Sequence, residues 1–452
     1  MEENQNKNFY RRTLKIAIPL SFQSFLSSAM GIVDTMMVSS IGMVTAVGTA
    51  NQLPFLSRMV MYGAVSGTGI FASQFFGSKD YRNLKRTFGF SLVIAFCNAI
   101  FWFLVASFFS QQILLFYLND PAVTYYSAQY LDVIKYSLLF SNFAFSFSFI
   151  YRSVHLPKVA VSVNSLAMIL NVIFNLMFIF GFGIIPAMGI KGAAIGTLLS
   201  QIIRLSVYII YSVKSEQPFI GNFKELFDFD KEFILPMVKK MIPLLVNETM
   251  FGIGSSMFIK IFGTLGKESM DAYYVGNQIY NIFLFVVYGF GGAIAVLVGS
   301  RLGEGKIERA KFEVKKYLKL SLMMAVVIIS FMLVFAKPMV KLFSISDPAT
   351  FILATQVVSV LSIKASLRLF NFVSFSVLRA GGDTKVIQFL DSGILWLVGI
   401  PTAFIAINYF GVTSVIVALL AVQLEQLIRM VGALYRVISG KWAKNITTLV
   451  EK

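Results

Sequence analysis

Residues 214–240 read KSEQPFIGNFKELFDFDKEFILPMVKK. This is the longest run in the chain that cannot sit in a hydrocarbon core. It carries Lys214, Glu216, Lys224, Glu225, Asp228, Asp230, Lys231, Glu232, Lys239 and Lys240. On either side, apolar runs of about 18 residues or more recur, each long enough to cross a bilayer interior of about 30 Å. The polar stretch thus interrupts a chain that otherwise reads as membrane helix, and the half of the chain after it resembles the half before it.

Composition agrees. Of 452 residues, 57% are hydrophobic and 13% charged, against about 25% charged in a soluble globular protein. The expected fold is an all-α polytopic membrane protein; a transmembrane barrel would show short alternating strands. The net charge is +17, from 39 Lys+Arg against 22 Asp+Glu. The basic residues are read as topology determinants beside membrane helices, and no nucleic-acid partner is expected. The single cysteine, Cys97, excludes a disulfide framework and a cysteine metal site; it is expected to be a packed structural thiol. The polar start MEENQNKNFYRR and the long apolar segment behind it predict no cleavable signal peptide.

Twelve spans are expected, at 14–41, 47–76, 87–109, 123–152, 159–183, 189–213, 236–265, 271–300, 313–337, 349–380, 385–409 and 412–438. They divide the chain into three parts: a six-helix lobe over 1–213, a cytoplasmic linker over 214–235 and a second six-helix lobe over 236–452. Basic residues mark alternate loops, among them Lys79, Arg82, Lys85 and Arg86, then Arg152 and Lys158, then Arg301, Lys306, Arg309 and Lys311. Of the opposite loops, 42–46 and 184–188 carry no charge and the one after the third span only Asp120, whereas Lys337 and Lys341 follow the ninth span. Both termini and the linker are therefore expected on the cytoplasmic side of the inner (plasma) membrane.

The lobes align with each other. Ile18-Pro19-Leu20 repeats as Ile242-Pro243-Leu244, Asn51-Gln52 as Asn277-Gln278, and Gly77 as Gly303. Asp120-Pro121 repeats as Asp347-Pro348, Arg152 and Lys158 as Arg379 and Lys385, and Gln201 as Gln423. The offset stays nearly constant across six helices. Six spans per copy give both copies one orientation, so a pseudo-twofold axis along the membrane normal relates them, a known transporter plan.

The chemistry is sparse. No phosphate-binding loop exists: Gly263-Thr-Leu-Gly-Lys267 and Gly303-Glu-Gly-Lys306 have the wrong spacing. The one histidine, His155, lies in a basic loop. No paired nucleophile and base marks an enzyme, and no cofactor is expected. Energy for transport would come from an ion gradient. Acids inside spans are costly and functional by default, and three are read: Asp34, Glu248 and Asp391. Each could bind a proton or Na⁺, or equally attract a cationic substrate; the alternative for each is a helix-end residue that snorkels or pairs with a nearby lysine. Burial favours the neutral form of a carboxyl and suits proton loading near neutral pH. Asn171 and Asn175, four apart on one helix face, could support them. Asn51, Gln52, Asn277 and Gln278 could line a cavity or tie helices together by hydrogen bonds. Lys260, Lys364 and Arg368 are candidate counter-charges. A composition of 46 Phe, 20 Met and 18 Tyr suits an adaptable, polyspecific pocket.

Several motifs resemble the multidrug and toxic compound extrusion (MATE) family. They are Leu378–Thr384 (LRAGGDT), Trp396–Pro401 (WLVGIP), Val33-Asp34-Thr35, Asn51-Gln52, Gln74–Gly77 (QFFG) and Gly276-Asn277-Gln278. The resemblance spans essentially the whole chain. It implies a cation-coupled antiporter that expels organic compounds through a cavity between two lobes. In the family, an aspartate on the first helix serves coupling, and Asp34 matches it. A polar pair on the fifth helix matches Asn171 and Asn175, although the second position is often aspartate there and Asn175 cannot titrate. A glutamate on the seventh helix contributes to a cation site in one branch, and Glu248 matches it. That branch also uses an acid on the tenth helix, where this chain has Lys364 and Arg368; Asp391 on the eleventh is our stand-in. Na⁺ would sit at Asp34 or Glu248. The function expected is export of amphipathic, often cationic compounds in exchange for H⁺ or Na⁺ by alternating access, by a monomer in the lipid bilayer. The alternative is a flippase for a lipid-linked substrate with a related helical plan.

Overall fold

The structure is a computed structural model. It describes residues 2–39, 43–117, 121–343 and 347–447 and, for some residues within the helices, the backbone alone. The described chain is helical almost throughout. Twelve long helices run as α1 Glu2–Ser39, α2 Gln52–Ser78, α3 Tyr81–Phe108, α4 Pro121–Ser153, α5 Pro157–Phe180 and α6 Gly189–Lys214. They continue as α7 Lys231–Gly263, α8 Lys267–Gly303, α9 Ile307–Val334, α10 Pro348–Ala380, α11 Thr384–Asn408 and α12 Val415–Ile438. The shortest has 24 residues, which at 1.5 Å per residue is about 36 Å and enough to span. Ten of them, α3 to α12, are apolar enough to cross a membrane by composition; α1 and α2 have the length, with 38 and 27 residues.

Several helices begin earlier than the apolar runs alone predict. Hydropathy marks the hydrocarbon crossing, whereas the helix continues outward until a cap stops it. Asp80 caps α3 by accepting the Asn83 N–H at 3.0 Å. Asp347 caps α10 by accepting from Thr350 N–H at 2.7 Å. Proline opens α4, α5 and α10, where its missing N–H costs nothing. Gly181, at φ +82°, ends α5.

The repeat is visible in element lengths. Helices α3 and α9 both have 28 residues, and α4 and α10 both have 33. A short helix follows each member of the first pair, Ser110–Tyr117 and Ala336–Lys341.

The chain forms two compact units, Phe22–Met241 and a second made of the segment up to Ser21 with Ile242 onward. In the second, the leading segment is held to α9: Arg12 donates to Glu313 at 3.0 Å, and Thr13 and Tyr317 hydroxyls lie 3.1 Å apart. In the first, a buried cluster joins α2, α4 and α6 through Leu53, Leu131, Ile134, Leu138 and Ala194. Large apolar side chains such as Phe101, Phe108, Val327 and Val334 point outward. In a bilayer the outer face meets hydrocarbon, so exposure carries no penalty there. Cys97 is exposed on this outer face of α3. The expected packed thiol is thereby corrected: the small residues of α3, Ala95 and Ala99, take the buried face instead.

The linker is docked, not free. A single helical turn, Phe223–Phe227, is closed by a capping box in which Asn222 and Glu225 satisfy each other's backbone N–H groups. It lies on α3, with Lys85 to Glu225 and Arg82 to Asp228 each at 3.1 Å, and Arg86 donating to the Asp228 carbonyl. Phe219 and Phe233 are buried, and the Arg86 guanidinium stacks 4.1 Å over the Phe233 ring.

Candidate functional site

The second unit holds a buried ionic network centred on Asp391. Helix α11 is not uniform. It widens to π-helical turns over Phe389–Gly393 and Leu395–Gly399 before resuming at Ile400. Pro401, which lacks an N–H and crowds the carbonyl four residues back, accounts for the second disturbance. In the first, the Ser392 N–H is taken by the Asn247 side chain at 3.1 Å. Asn247 reaches in from α7 and also donates to Asp391 Oδ2 at 3.3 Å. Such π turns recur at functional sites.

Asp391 Oδ1 accepts from two guanidinium groups, Arg368 of α10 at 3.2 Å and Arg429 of α12 at 2.8 Å. Arg429 is fully buried and also binds Glu425 at 2.6 Å. Glu425 accepts from Gln426, whose amide and backbone oxygens both receive Asn371. The neighbour of Asn247 on α7, Glu248, pairs with Arg379 of α10 at 3.2 Å. Lys364 sits 5.2 Å from the Tyr280 ring centroid and Arg368 4.8 Å from that of Phe251. Two of the acids read from the sequence are therefore tied to helix α10 from α7 and α11. Each is bound to a guanidinium, a group that stays protonated. A coupling ion at Glu248 or Asp391 would have to open those pairs.

The remaining candidates lie in the first unit or apart. Asp34 falls on α1, and its side chain is outside the described residues. Asn171 donates to Thr197 of α6 at 3.1 Å, and Asn175 donates to Asn171 at 3.4 Å. Gly196 permits this approach, because a Cβ there would collide with the Asn175 amide oxygen. Asn51 stands at the turn into α2 and accepts from the Tyr130 hydroxyl at 3.3 Å. Gln52 bonds back to Gly48 at 3.4 Å. On α8, Asn277 is half-buried and Gln278 exposed.

The reading of three intramembrane acids needs correction: Glu425 in α12 is a fourth, only 3% exposed. The signal for it exists in the sequence, since Glu425 and Arg429 are spaced i, i+4 inside an apolar helix. Arg58 and Arg204 are further functional candidates that the sequence reading misses. They line a cavity of about 200 Å³ in the first unit with Asn51, Asn142, Gln201, Ser57 and Thr197 among others. Among the described residues there is no group of three His, Cys, Asp or Glu that could hold a metal ion.

A chain of twelve long helices in two repeated sets, ten of them apolar enough to cross a membrane, has the architecture of a polytopic membrane protein. The MatE family model matches residues 19–177 and again 243–405. The chain belongs to the MatE family. The two matches begin 224 residues apart, the offset of the Ile-Pro-Leu repeat. A probable multidrug resistance protein NorM from Thermotoga maritima is 22% identical, over 98% of this chain and 95% of its own. The multidrug export protein MepA of Staphylococcus aureus is 24% identical over 92% and 91%. In fold, the chain is similar to the Vibrio cholerae MATE transporter VcmN in its bent form, with TM-score 0.85, 17% identity and 97% and 99% coverage. A MOP superfamily transporter from Pyrococcus furiosus, described as having a binding pocket of reverse polarity, gives TM-score 0.84 and 16% identity over 95% and 96%.

Proposed function

We propose that the protein is a secondary active exporter of amphipathic organic compounds, driven by inward movement of H⁺ or Na⁺ through alternating access. The observation that carries this is the family model matching both halves of the chain. It is supported by relatives whose names describe multidrug resistance and export. The placement proposed is the inner (plasma) membrane, with the linker and both termini cytoplasmic, as the basic loops indicate.

For coupling we assign Asp34. The arginines bound to Glu248 and Asp391 favour a structural role for those two acids, because a guanidinium already supplies the positive charge a coupling ion would bring. Asn171 and Asn175 serve as neutral hydrogen-bonding support. A coupling ion shifts the balance of inward and outward states only through different affinities for them.

The test uses everted membrane vesicles with a fluorescent amphipathic dye supplied outside, at the face that was cytoplasmic, and a pH gradient and a Na⁺ gradient, each with the ion higher inside, imposed separately. One gradient is expected to drive dye movement, and Asp34→Asn to abolish that drive while exchange without a gradient persists. Full gradient-driven transport by Asp34→Asn would remove the assignment; no movement under either gradient would remove the export reading itself.

A further inference from the structure

The repeat allows the ionic network of the second unit to be compared, position by position, with the same place in the first. Asp391, at the start of α11, accepts from Arg429 of α12. The residue 227 earlier is Asn164 of α5, and its Oδ1 accepts from Arg204 Nε of α6 at 2.8 Å. The two acceptor–arginine pairs match, with Arg204 standing for Arg429 at an offset of 225, which also sets Gln201 against Gln426. The Asn164–Arg204 and Asp391–Arg429 pairs thus stand at offsets of 227 and 225, against 222 for the Gln201–Gln423 correspondence read from the sequence. The other positions follow from the same offsets. Arg152 corresponds to Arg379, Ser200 to Glu425 and, at offset 224, Ser24 to Glu248.

The outcome is asymmetric. The second unit keeps three carboxylates; Arg368 and Arg379 are each bound to one and Arg429 to two. The first unit retains Arg152 and Arg204, has the neutral residues Asn164, Ser200 and Ser24 at the three acid positions, and adds Arg58 on α2. Arg204 is held by neutral oxygens, those of Asn164 and of Gln201 at 3.1 Å. Arg152 donates to the Ser148 hydroxyl at 3.0 Å, and Ser148 accepts from Asn164 at 3.2 Å. Arg152 Nε is buried with no hydrogen-bond partner. Arg58 is exposed within the cavity. Among the described residues, no carboxylate lies within ion-pairing distance of any of the three.

Buried or intramembrane charge without a counter-charge is expensive, and such residues mark substrate or ion pathways. The cavity that Arg58 and Arg204 line has about 200 Å³, below the roughly 300–1,000 Å³ that encloses a drug-sized ligand. It therefore fits a ligand's head, not its whole body. Its polar wall of Asn51, Ser57, Asn142, Thr197 and Gln201 supplies neutral donors around the guanidinium groups. An arginine fork matches the planar geometry of a carboxylate or the oxygens of a sulfonate or phosphate.

We propose that this cavity binds the anionic oxyacid group of an amphipathic organic anion, with Arg58 and Arg204 contacting it and Asn164 positioning Arg204. The proposal rests on the export reading for its physiological meaning and reverses the charge expected of the cargo. The anion could be a soluble amphiphile or a lipid head group, which share this chemistry.

The test measures equilibrium binding to purified protein in phosphatidylcholine nanodiscs, with no gradient present. The probes are dansyl-taurine, which ends in a sulfonate, and the matching dansyl-aminoethyl-trimethylammonium. Dansyl-taurine is expected to bind more tightly than its cationic twin. Arg58→Gln, which breaks no hydrogen bond or ion pair with a described residue, and Arg204→Gln are each expected to weaken it roughly tenfold or more; neither weakens the ammonium probe. A wild-type preference for the ammonium probe overturns the proposal. So does dansyl-taurine affinity that stays within about twofold in Arg58→Gln. Nanodiscs containing phosphatidic acid separate the sources: loss of dansyl-taurine binding in wild type assigns a lipid head group, and unchanged binding assigns a soluble anion. Charge-selective binding without gradient-driven movement in vesicles would leave the site standing and remove the export reading.

Discussion

At Asp391, two guanidinium groups converge on one carboxylate oxygen while an asparagine holds the other. Removing one member of a buried ionic set is costlier than never having built it, because the partners remain charged and unpaired. Asp391→Asn should therefore destabilise the protein by about 3–5 kcal/mol, seen as a lower midpoint in thermal unfolding of the detergent-solubilised protein. A change under about 1 kcal/mol would mean that Arg368 and Arg429 find other acceptors. The equivalent position in the first unit predicts the opposite. Asn164→Asp would give Arg204 a counter-charge where it now has a neutral amide. It should raise the unfolding midpoint and abolish dansyl-taurine binding, since the protein would then supply the anion itself.

On the scale of elements, the linker turn Phe223–Phe227 shows which contacts hold it on α3. The Arg82–Asp228 pair is exposed on both sides, at 79% and 60%, and such pairs contribute about 0–1 kcal/mol. Phe219 and Phe233 are fully buried, and burying each stabilises by about 1.5–3 kcal/mol. Phe219→Ala should release the turn to limited trypsin digestion at Lys224, whereas Arg82→Ala should leave the cleavage rate nearly unchanged. Glu225 adds a pH dependence. The Asn222 N–H, and then Lys85, hold its carboxyl below the ordinary value of 4.5. A depressed carboxyl stabilises the folded form above its unfolded value and loses that effect as pH falls through the folded one. Docking should therefore persist through pH 4.5 and loosen only below it. The readout is hydrogen-exchange protection of the Phe223–Phe227 amides, normalised to intrinsic rates, and Glu225→Gln should remove the dependence.

For the whole molecule, the two copies share a scaffold but differ in their charges. Helices α3 and α9, and α4 and α10, keep their lengths, so the repeat preserves the frame that positions side chains. Within it, one copy has internal ion pairs, which tie α7, α10, α11 and α12 together, and the other has Arg58 and Arg204 lining a cavity. The first is a stabilising core, the second a recognition site. The imposed-gradient experiment belongs to this scale: it asks whether an ion gradient drives transport, and whether that drive is lost with Asp34.

The sequence by itself determined the spans, the repeat and the family. Those features are written locally: a segment in hydrocarbon must satisfy every backbone N–H and C=O within itself, so each crossing declares its own length and apolarity. Intramembrane charges were legible one at a time, as with Asp391 and Glu248. Glu425 and Arg429 escaped because a single i, i+4 pair hardly dents the apolarity of α12. Only the tertiary structure decided which charges meet. Arg368, Asp391 and Arg429 lie on three helices, and their contact depends on how each helix is rotated about its axis, which no local pattern encodes. The same geometry aligned Arg204 with Arg429 and revealed that Asn164 occupies the place of an acid. What the sequence presented as scattered basic residues, folding sorted into paired ones and unpaired ones.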